Sequence, residues 1–301
     1  MNSRLYLIDT LYHVFRAYYA LPRTLRSEDG RPTNVVHGVV GILRTLWKSQ
    51  GIGHIGMVFE EMSGIFREEI FPEYKAQREA PPDDLLAQIP LVKTACDHLG
   101  LSVWEAATFE ADDVIGTLAR QALAQGVPVT IVSNDKDLAQ LLAFDGDIDL
   151  LRTSGSGKNA SVERLRRGDV PRVFGVEAHQ IPSFLALRGD TVDNIPGLKG
   201  VGDKTAAKWL AQSADLEGLL ANPDLAGKRW APIIAENESS LRRDLQLATI
   251  RTDAPVGFEF ERFAPAPLQG LAEFFGDLSM NRHRGEAEKL SAPATVADLW
   301  V

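Results

Sequence analysis

Short apolar runs alternate with helical spacing over the first half of this 301-residue chain. Three of these runs predict buried strands because they are short and rich in aliphatic residues; they cover residues 4–9, 54–60 and 127–133. A shorter strand is predicted at L-S-V-W, residues 101–104. Strands that alternate with helices predict an α/β fold, with a twisted, mainly parallel sheet and helices on both faces.

Two later features interrupt this alternation. Residues 61–82 are charged, aromatic and broken by three prolines, so we expect an exposed element on the carboxyl edge of the sheet. After residue 153 the strand signals fade, and the Ser/Gly-rich loop at 154–159 is the candidate boundary. We therefore expect an α/β region at 1–155, a helical region at 156–290 and a tail at 291–301. The tail ends in hydrophobic residues that either dock on a partner or fray, and fraying is the favoured prediction.

The composition is ordinary for a soluble globular protein, with 45% hydrophobic and 24% charged residues. The first apolar run is too short for a signal peptide, and no stretch is long enough to span a bilayer. We therefore expect a cytoplasmic protein with no membrane partner. The single cysteine, Cys96, excludes an internal disulfide, and its neighbours predict a helical core position.

Carboxylates stand where the predicted strands end and where a helix begins. Any one of them is most simply interpreted as a helix cap. The set is harder to explain in this way, because the carboxyl ends of parallel strands meet at one edge of a sheet. The set consists of Asp9, Glu60, Glu110, Asp112, Asp113, Asp135 and Asp137.

Carboxylates gathered in one cleft repel one another and need counterions. A pocket of acids without His or Cys suits Mg²⁺ or Mn²⁺ better than zinc. Two such ions about 3.5–4 Å apart can activate a water and stabilise the leaving oxygen of a phosphodiester. The net charge of −9 argues against a nucleic-acid partner, yet the 41 acids fall to 32 when nine candidate ligands are set aside, which equals the number of Lys plus Arg.

The last two of those nine acids, Asp190 and Asp193, open a glycine-rich motif that runs from Arg188 to Leu210. A helix predicted from about Lys204 follows its glycines and offers free N–H groups to a phosphate. Asp203 breaks the G-K-[ST] element of a nucleotide-binding P-loop, and a plain turn between helices is the alternative. The candidate phosphate-binding residues are Lys199, Gly200, Gly202, Lys204, Thr205 and Lys208.

Together these blocks resemble the 5′ nuclease family, which includes the N-terminal nuclease domain of bacterial DNA polymerase I, the phage 5′ nucleases and the flap endonucleases. The resemblance runs from about Leu5 to Asp253 and more weakly to about Leu290. Its most specific pieces are E-A-D-D-V-I-G-T-L-A (110–119), D-K-D (135–137) and G-D-T-V-D-N-I-P-G-L-K-G-V-G-D-K-T-A (189–206). Supporting pieces are F-R-x-x-x-F-P-E-Y-K-x-x-R (66–78), G-R-P-T-N (30–34) and L-A-T-I-R-T-D (247–253).

The resemblance implies a PIN-like 5′ nuclease fold with a helical arch at about 61–82 and a helix-hairpin-helix at about 184–212. It implies two metal ions, with the acids divided between them and Asp113 in their shared shell. It also implies catalytic roles on the arch: Tyr74 would stack on a base, Lys75 and Arg78 would lie near the scissile phosphate, and Arg67 would sit at the base of the arch. The first ion would take Asp9, Glu60, Glu110 and Asp112, and the second Asp135, Asp137, Asp190 and Asp193.

The implied activity is that of a Mg²⁺- or Mn²⁺-dependent 5′→3′ exonuclease and flap endonuclease, acting in replication and repair. Its substrate would be branched or duplex DNA with a 5′ single-stranded end, and K⁺ would bind at the helix-hairpin-helix. Proofreading and polymerase domains are lacking, so we expect a stand-alone nuclease with a separate DNA polymerase as a partner.

Two departures from the family pattern occur at the predicted metal site. Glu60 stands where the family usually has Asp, and Thr10-Leu11 follows Asp9 where the family has Gly and a small polar residue. Neither change removes a carboxylate, so we expect activity; the alternative is a catalytically weakened relative that binds branched DNA. A haloacid-dehalogenase-type phosphatase would need an acid at Leu11, and a dinucleotide enzyme would need G-x-G-x-x-G after the first strand. The sequence excludes both.

Overall fold

The computed structural model describes residues 4–60, 64–154, 161–290 and 293–300. Its centre is a six-stranded sheet with the strand order β3-β2-β1-β4-β5-β6. The first five strands are parallel, and β6 runs antiparallel to β5 at one edge. The strands are β1 (Leu5–Asp9), β2 (His54–Val58), β3 (Ser102–Trp104), β4 (Val129–Val132), β5 (Ile148–Ser154) and β6 (Ser161–Leu165).

Fifteen α-helices lie within the described ranges and cover both faces of the sheet. The prediction of a mainly parallel α/β fold is therefore confirmed. The helices are α1 (Thr10–Ala20), α2 (Asn34–Gln50), α3 (Phe66–Ile70), α4 (Asp83–Leu86), α5 (Ile89–His98), α6 (Ala111–Ala124), α7 (Val170–Phe174), α8 (Ile181–Arg188), α9 (Asp203–Ser213), α10 (Leu216–Ala221), α11 (Ala231–Glu236), α12 (Glu238–Ala248), α13 (Leu271–Asp277), α14 (Asn281–Ala287) and α15 (Val296–Leu299).

Strand β1 divides the hydrophobic interior into two cores. Leu5 and Leu7 point into one core, with α6 and the C-terminal helices α8 to α12, whereas Tyr6 and Ile8 point into the other, with α1, α2 and α5. This alternation is the period of two that a strand imposes on its side chains. Both cores exclude water from β1, so the polar residues at its carboxyl end are the first that solvent can reach.

The order in which strands are added to the sheet changes side at β1. Strands β2 and β3 are added on one side of β1, and β4 and β5 on the other. The loops that leave β1 and β4 therefore part in opposite directions and open a crevice at their carboxyl ends. In open α/β sheets ligands bind at such a switch point.

The C-terminal tail differs from its predicted fraying. Trp300 is only 2% exposed, and its ring meets that of Trp47 edge to face with the centroids 5.9 Å apart. Val296 is also buried in the core shared with α2. The hydrophobic end that the sequence left open is covered by the chain's own helices. Residues 291, 292 and 301 of the predicted tail lie outside the described ranges.

Strand β6 was not expected, because its alternating S-V-E-R-L pattern follows the predicted boundary at 155. Its pairing with β5 carries the sheet to Leu165. The predicted boundary loop itself lies mostly in residues 155–160, outside the described ranges. No helix of the described residues has both the length and the apolar character needed to cross a membrane.

Candidate metal centre

Asp9 lies at the switch point, as the last residue of β1 and the N-cap of α1. Its carboxylate accepts hydrogen bonds from the Tyr12 N–H (3.2 Å) and from Ser133 Oγ (2.7 Å), and Ser133 follows β4. Burial and, to a smaller extent, the charges of Asp135 and Glu60 raise the pKa of Asp9 to about 7, although the two hydrogen bonds act to lower it. A carboxylate held in this way gains from a nearby cation.

The acids of α6 lie beside those of β1 and β2. The Ala111 N–H donates to Glu60 Oε2 over 2.9 Å, which joins the end of β2 to the first turn of α6. Burial is the main reason that the pKa of Asp112 lies well above its usual range, and the negative charges of Asp135, Asp9 and Glu110 raise it further. These are the predicted neighbours from three separate chain segments, and the structure brings them into mutual electrostatic contact.

Three further carboxylates form a compact group. Oxygen atoms of Asp137, Asp190 and Asp193 all lie within 4.8 Å of one another. Oδ1 of Asp137 is buried without a hydrogen-bond partner, and burial together with the charge of Asp135 raises the pKa of Asp137 to about 7. Asp135 accepts the Asp137 N–H at 2.9 Å and stands between this group and Asp9.

The donor chemistry of the two sets fits hard divalent cations. The candidate ligands are carboxylate oxygens, and burial together with the charges of neighbouring carboxylates raises the pKa of Asp9, Asp112 and Asp137. Oδ1 of Asp137 is buried without a hydrogen bond and has the Lys136 ammonium 3.3 Å away, which shows that this oxygen attracts a cation. The residues present therefore suit a divalent metal.

Cations from the chain lie against these acids. The ammonium group of Lys75 pairs with Glu110, Arg78 pairs with Asp193 at 2.5 Å, and Lys136 pairs with Asp190 at 2.5 Å. Burial alone would raise the pKa of Asp193, but Lys75 and Arg78 outweigh it and lower the pKa. Lys136 was not among the predicted site residues, although its position inside D-K-D put it next to two candidate ligands.

The segment predicted as an arch folds back onto the site. From residue 64 onward it contains the short helix α3 and then turns, most of them exposed, and residues 61–63 lie outside the described ranges. The Lys75 N–H donates to the Asp193 carbonyl over 3.0 Å, and Asn194 Nδ2 donates to the Glu73 carbonyl over 2.6 Å. Lys75 adopts a φ of 56°, an uncommon conformation for a residue with a side chain.

Tyr74 is placed differently from the predicted base-stacking aromatic. It is only 4% exposed, and its hydroxyl lies 3.2 Å from both Glu110 Oε2 and Asp193 Oδ2. A ring packed in the core has no face free for a base. Its hydroxyl instead bridges acids from the two predicted metal sets.

Arg67 and Asp113 pair with each other in the interior, and the roles that the resemblance implied for them stay predictions. Arg67 is 2% exposed, and its guanidinium meets Asp113 in a two-point ion pair with distances of 2.7 and 2.9 Å. The other Asp113 contacts are the backbone N–H groups of Arg251 (2.8 Å) and Glu110 (3.2 Å). Both oxygens of Asp113 are thus taken up by the protein. Arg67 Nη1 also lies 2.7 Å from Glu110 Oε2, so the pair supports the first turn of α6 and a candidate ligand together.

Thr10, one of the two departures from the family pattern, is accommodated inside the protein. It is fully buried, and its hydroxyl donates to the Ile8 carbonyl over 3.3 Å. Glu60, the other departure, accepts a hydrogen bond from the Ala111 N–H with one of its two oxygens. The other carboxylate oxygen of Glu60 is available to a metal ion, and the glutamate side chain is one methylene longer than that of the usual aspartate.

The glycine-rich motif forms the loop between α8 and α9. Gly189 and Gly197 approach so closely that a Cβ atom on Gly197 would lie 2.2 Å from the Gly189 nitrogen. Gly202 is the N-cap of α9 and has no side-chain cap, and Lys204 is exposed in the first turn. Asp203 pairs with Arg188 at 2.7 Å. The predicted phosphate-binding residues are therefore together on the surface, except that Thr205 is partly buried, while their assignment to a helix-hairpin-helix stays a prediction.

Comparisons with known proteins agree with this architecture. A family model described as "5′-3′ exonuclease, N-terminal resolvase-like domain" matches residues 4–171, and one described as "5′-3′ exonuclease, C-terminal SAM fold" matches residues 176–270. DNA polymerase I of Pseudomonas aeruginosa is 40% identical over 277 residues, which is 89% of this chain and 29% of that protein. The enzyme of Mycobacterium bovis is 36% identical over 277 residues, covering 91% and 30%. This chain thus spans less than a third of the length of these curated relatives.

Solved structures show the same fold. The T5 D15 protein co-crystallised with metal ions gives a TM-score of 0.70 at 20% identity, covering 83% of this chain and 90% of that one. The catalytic core of Rad2 in complex with a DNA substrate gives 0.59 at 16% identity, covering 94% and 90%. The PIN-like 5′ nuclease fold expected from the motifs is confirmed. With both family models matched in order over residues 4–270, the chain belongs to the 5′-3′ exonuclease family.

Proposed function

We propose that this chain is a divalent-metal-dependent nuclease that hydrolyses DNA phosphodiesters at 5′ ends and 5′ flaps. One observation carries the proposal: carboxylates from β1, β2, α6, the end of β4 and the α8–α9 loop come together at the switch point of the sheet. Two structural neighbours, the T5 D15 protein with metal ions and the catalytic core of Rad2 with a DNA substrate, support the same class of activity.

Two metal ions would be held by two groups of acids. The first group is drawn from Asp9, Glu60, Glu110 and Asp112, and the second from Asp137, Asp190 and Asp193, with Asp135 between them. Since the ligands are all oxygens, we propose Mg²⁺, with Mn²⁺ as a substitute. When bound, such ions supply an activated water and stabilise charge on the phosphodiester oxygens. Because Asp113 is held by Arg67, we assign it to the support of α6 and not to a metal.

The chain's own cations would position the scissile phosphate. Lys75 and Arg78 lie on the acids at the mouth of the crevice, and an incoming phosphate offers them a negative partner. Arg78 is 46% exposed at its side chain and can turn toward a strand without loss of core packing. Tyr74, in this proposal, links Glu110 and Asp193 through its hydroxyl and does not stack on a base.

The α8–α9 loop would hold duplex DNA by its backbone. Exposed Lys199, Lys204 and Lys208 and the uncapped N-terminus of α9 suit phosphate groups and read no base. K⁺ at this loop remains part of the proposal, as does a separate DNA polymerase that acts on the same junction in the cytoplasm. The affinity of the loop for DNA should fall steeply with salt.

A cleavage assay tests the proposal directly. A labelled 5′-flap substrate should be cut in Mg²⁺ and left intact in EDTA. Asp137→Asn should abolish cleavage but retain flap binding, because the change removes one charge from the ligand group. The matched control is Asp145→Asn, since the Asp145 side chain is fully exposed, and it should cut normally. Flap binding without cleavage by the wild-type chain would identify the weakened DNA-binding relative instead.

A further inference from the structure

A cavity of about 570 Å³ lies among α1, α2 and α14, and none of the predicted metal ligands lines it. Helices α1 and α2 touch beside it, where a Cβ atom on Gly38 would lie 2.2 Å from the Ala17 Cβ. One turn further along α2, a Cβ atom on Gly41 would have no other heavy atom within 4 Å. Small residues thus form one flat wall of the cavity and leave the space beside it open.

The other walls carry positive charge. Arg16, Arg44, Lys48 and Arg282 line the cavity, and its described lining includes no carboxylate. The nearby Glu286 pairs with Arg44 at 2.9 Å and with Arg282 at 3.4 Å, and Arg16 donates to Thr153 Oγ1 over 2.5 Å. In a chain with a net charge of −9, this is a local positive field that attracts anions.

Nε2 of His13, which is 3% exposed, is buried on the lining without a hydrogen-bond partner among the described residues. Nδ1 of His283, also on the lining, faces Glu286 Oε2 at 3.7 Å. The His13 ring also bonds the Val132 backbone, where a carbonyl can only accept, so Nδ1 carries the proton and Nε2 a lone pair. Burial lowers the pKa of His13 to about 4 and keeps the ring neutral at pH 7. Buried polar atoms nearly always have partners, so Nε2 calls for an N–H or O–H donor, which a ligand can supply in place of a water.

We propose that this cavity binds a nucleoside monophosphate. The phosphate would lie among the arginines and Lys48, the flat base against the small residues of α1 and α2, and a sugar hydroxyl or base amino group would donate to His13 Nε2. The cavity volume falls in the range of small-molecule sites, about 300–1,000 Å³. Nucleoside monophosphates are also the class of product that the proposed activity releases, but the site is argued without that activity.

The test is isothermal titration calorimetry of the whole chain with dAMP, in EDTA and without DNA. Wild-type protein should bind dAMP with a Kd of about 1 mM or tighter. Gly41→Leu should weaken binding at least about 10-fold, because the new side chain fills the cavity. Since Gly41 lies inside a helix, the substitution should leave the thermal unfolding midpoint unchanged or raise it. Gly285→Leu, on α14 but off the lining, is the matched control and should bind as wild type does.

Other outcomes would overturn the proposal. Absence of dAMP binding at millimolar concentration, or equal binding by Gly41→Leu, would show that the cavity takes no nucleotide. Inorganic phosphate that binds as well as dAMP would reduce the site to an anion site. A 5′-phosphorylated oligonucleotide that binds far more tightly than dAMP, and is weakened by Gly41→Leu, would make a strand end the occupant. Flap cleavage by Gly41→Leu should match the wild type, so failure here is distinguishable from failure of the proposed nuclease activity.

Discussion

The buried Arg67 network offers a sharp test of which residues support the site and which act on substrate. Arg67 reaches Asp113 with two nitrogens, Glu110 at 2.7 Å, and the carbonyls of Leu247 (2.9 Å) and Thr249 (3.0 Å). Arg67→Ala would leave Asp113 as a buried carboxylate without its ion-pair partner. Removing one partner of a buried pair costs about 3–5 kcal/mol. We therefore expect a large loss of folding stability and, as a consequence, a displaced α6.

Arg67→Lys separates charge from geometry. Lysine retains the charge but has three donors for the five contacts that the arginine makes, so at least two buried acceptors lose their bond. At about 1–3 kcal/mol for each buried unsatisfied group, the expected cost is about 2–3 kcal/mol after some relaxation. The control is Arg242→Ala, whose ion pairs with Glu217 and Glu238 are exposed and worth less than about 1 kcal/mol.

Urea unfolding in EDTA, followed by tryptophan fluorescence, measures these costs. The midpoint of Arg67→Ala should fall by on the order of 1 M relative to wild type, and that of Arg67→Lys by about half as much. A midpoint no lower than that of Arg242→Ala, combined with lost flap cleavage, would refute the reasoning. It would return Arg67 to the catalytic role that the sequence resemblance implied.

Three further predictions concern the metal site, pH and the glycine loop. Asp137→Asn should raise the unfolding temperature in EDTA, because it removes one of several repelling charges, and should shrink the increase that Mg²⁺ produces; an undiminished increase would contradict its role as a ligand. The folded pKa of His13, about 4, lies below the unfolded value of about 6.5, so the unfolded state binds more protons at this residue and the contribution of His13 to stability falls as pH drops through this window. This contribution amounts to a loss of about 1.4 kcal/mol in the free energy of unfolding at pH 5.5. Urea titrations at pH 7.5 and pH 5.5 should therefore show a pH-dependent loss in the wild type that is smaller by this amount in His13→Gln. Gly197→Ala should destabilise the chain more than Gly227→Ala, since both have positive φ but only Gly197 meets backbone, at Gly189; equal midpoints would show that the loop relaxes without cost.

Sequence patterns predicted the sheet because strand and helix periods are local properties. The apolar runs at β1, β2 and β4 and the acids that follow them are legible without any tertiary contact. Convergence of those acids also followed from a rule of topology, that parallel strands end at one edge. The resemblance to a family then supplied the division of the acids between two ions.

The remainder depended on contacts that a linear pattern does not contain. Tyr74 and Arg67 lie in a charged, proline-broken segment that looks exposed, and only the fold shows both side chains turned inward onto acids. Asp113 is adjacent to Asp112 in sequence, yet one helical step of about 100° turns it toward Arg67. Whether Trp300 packs or frays could not be predicted from the sequence for the same reason, because its partner Trp47 is far away in the chain.

The α8–α9 loop joins two tasks in fourteen residues, Gly189 to Gly202. Its first half brings Asp190 and Asp193 to the acids and is closed by paired hydrogen bonds between Asp190 and Ile195. Its second half presents the glycines and Lys199. If the proposed function is correct, this loop fixes the distance between the residues that bind duplex DNA and the metal site that cuts the strand. An inserted residue in this loop should move the cleavage position along the strand before it changes the affinity for DNA.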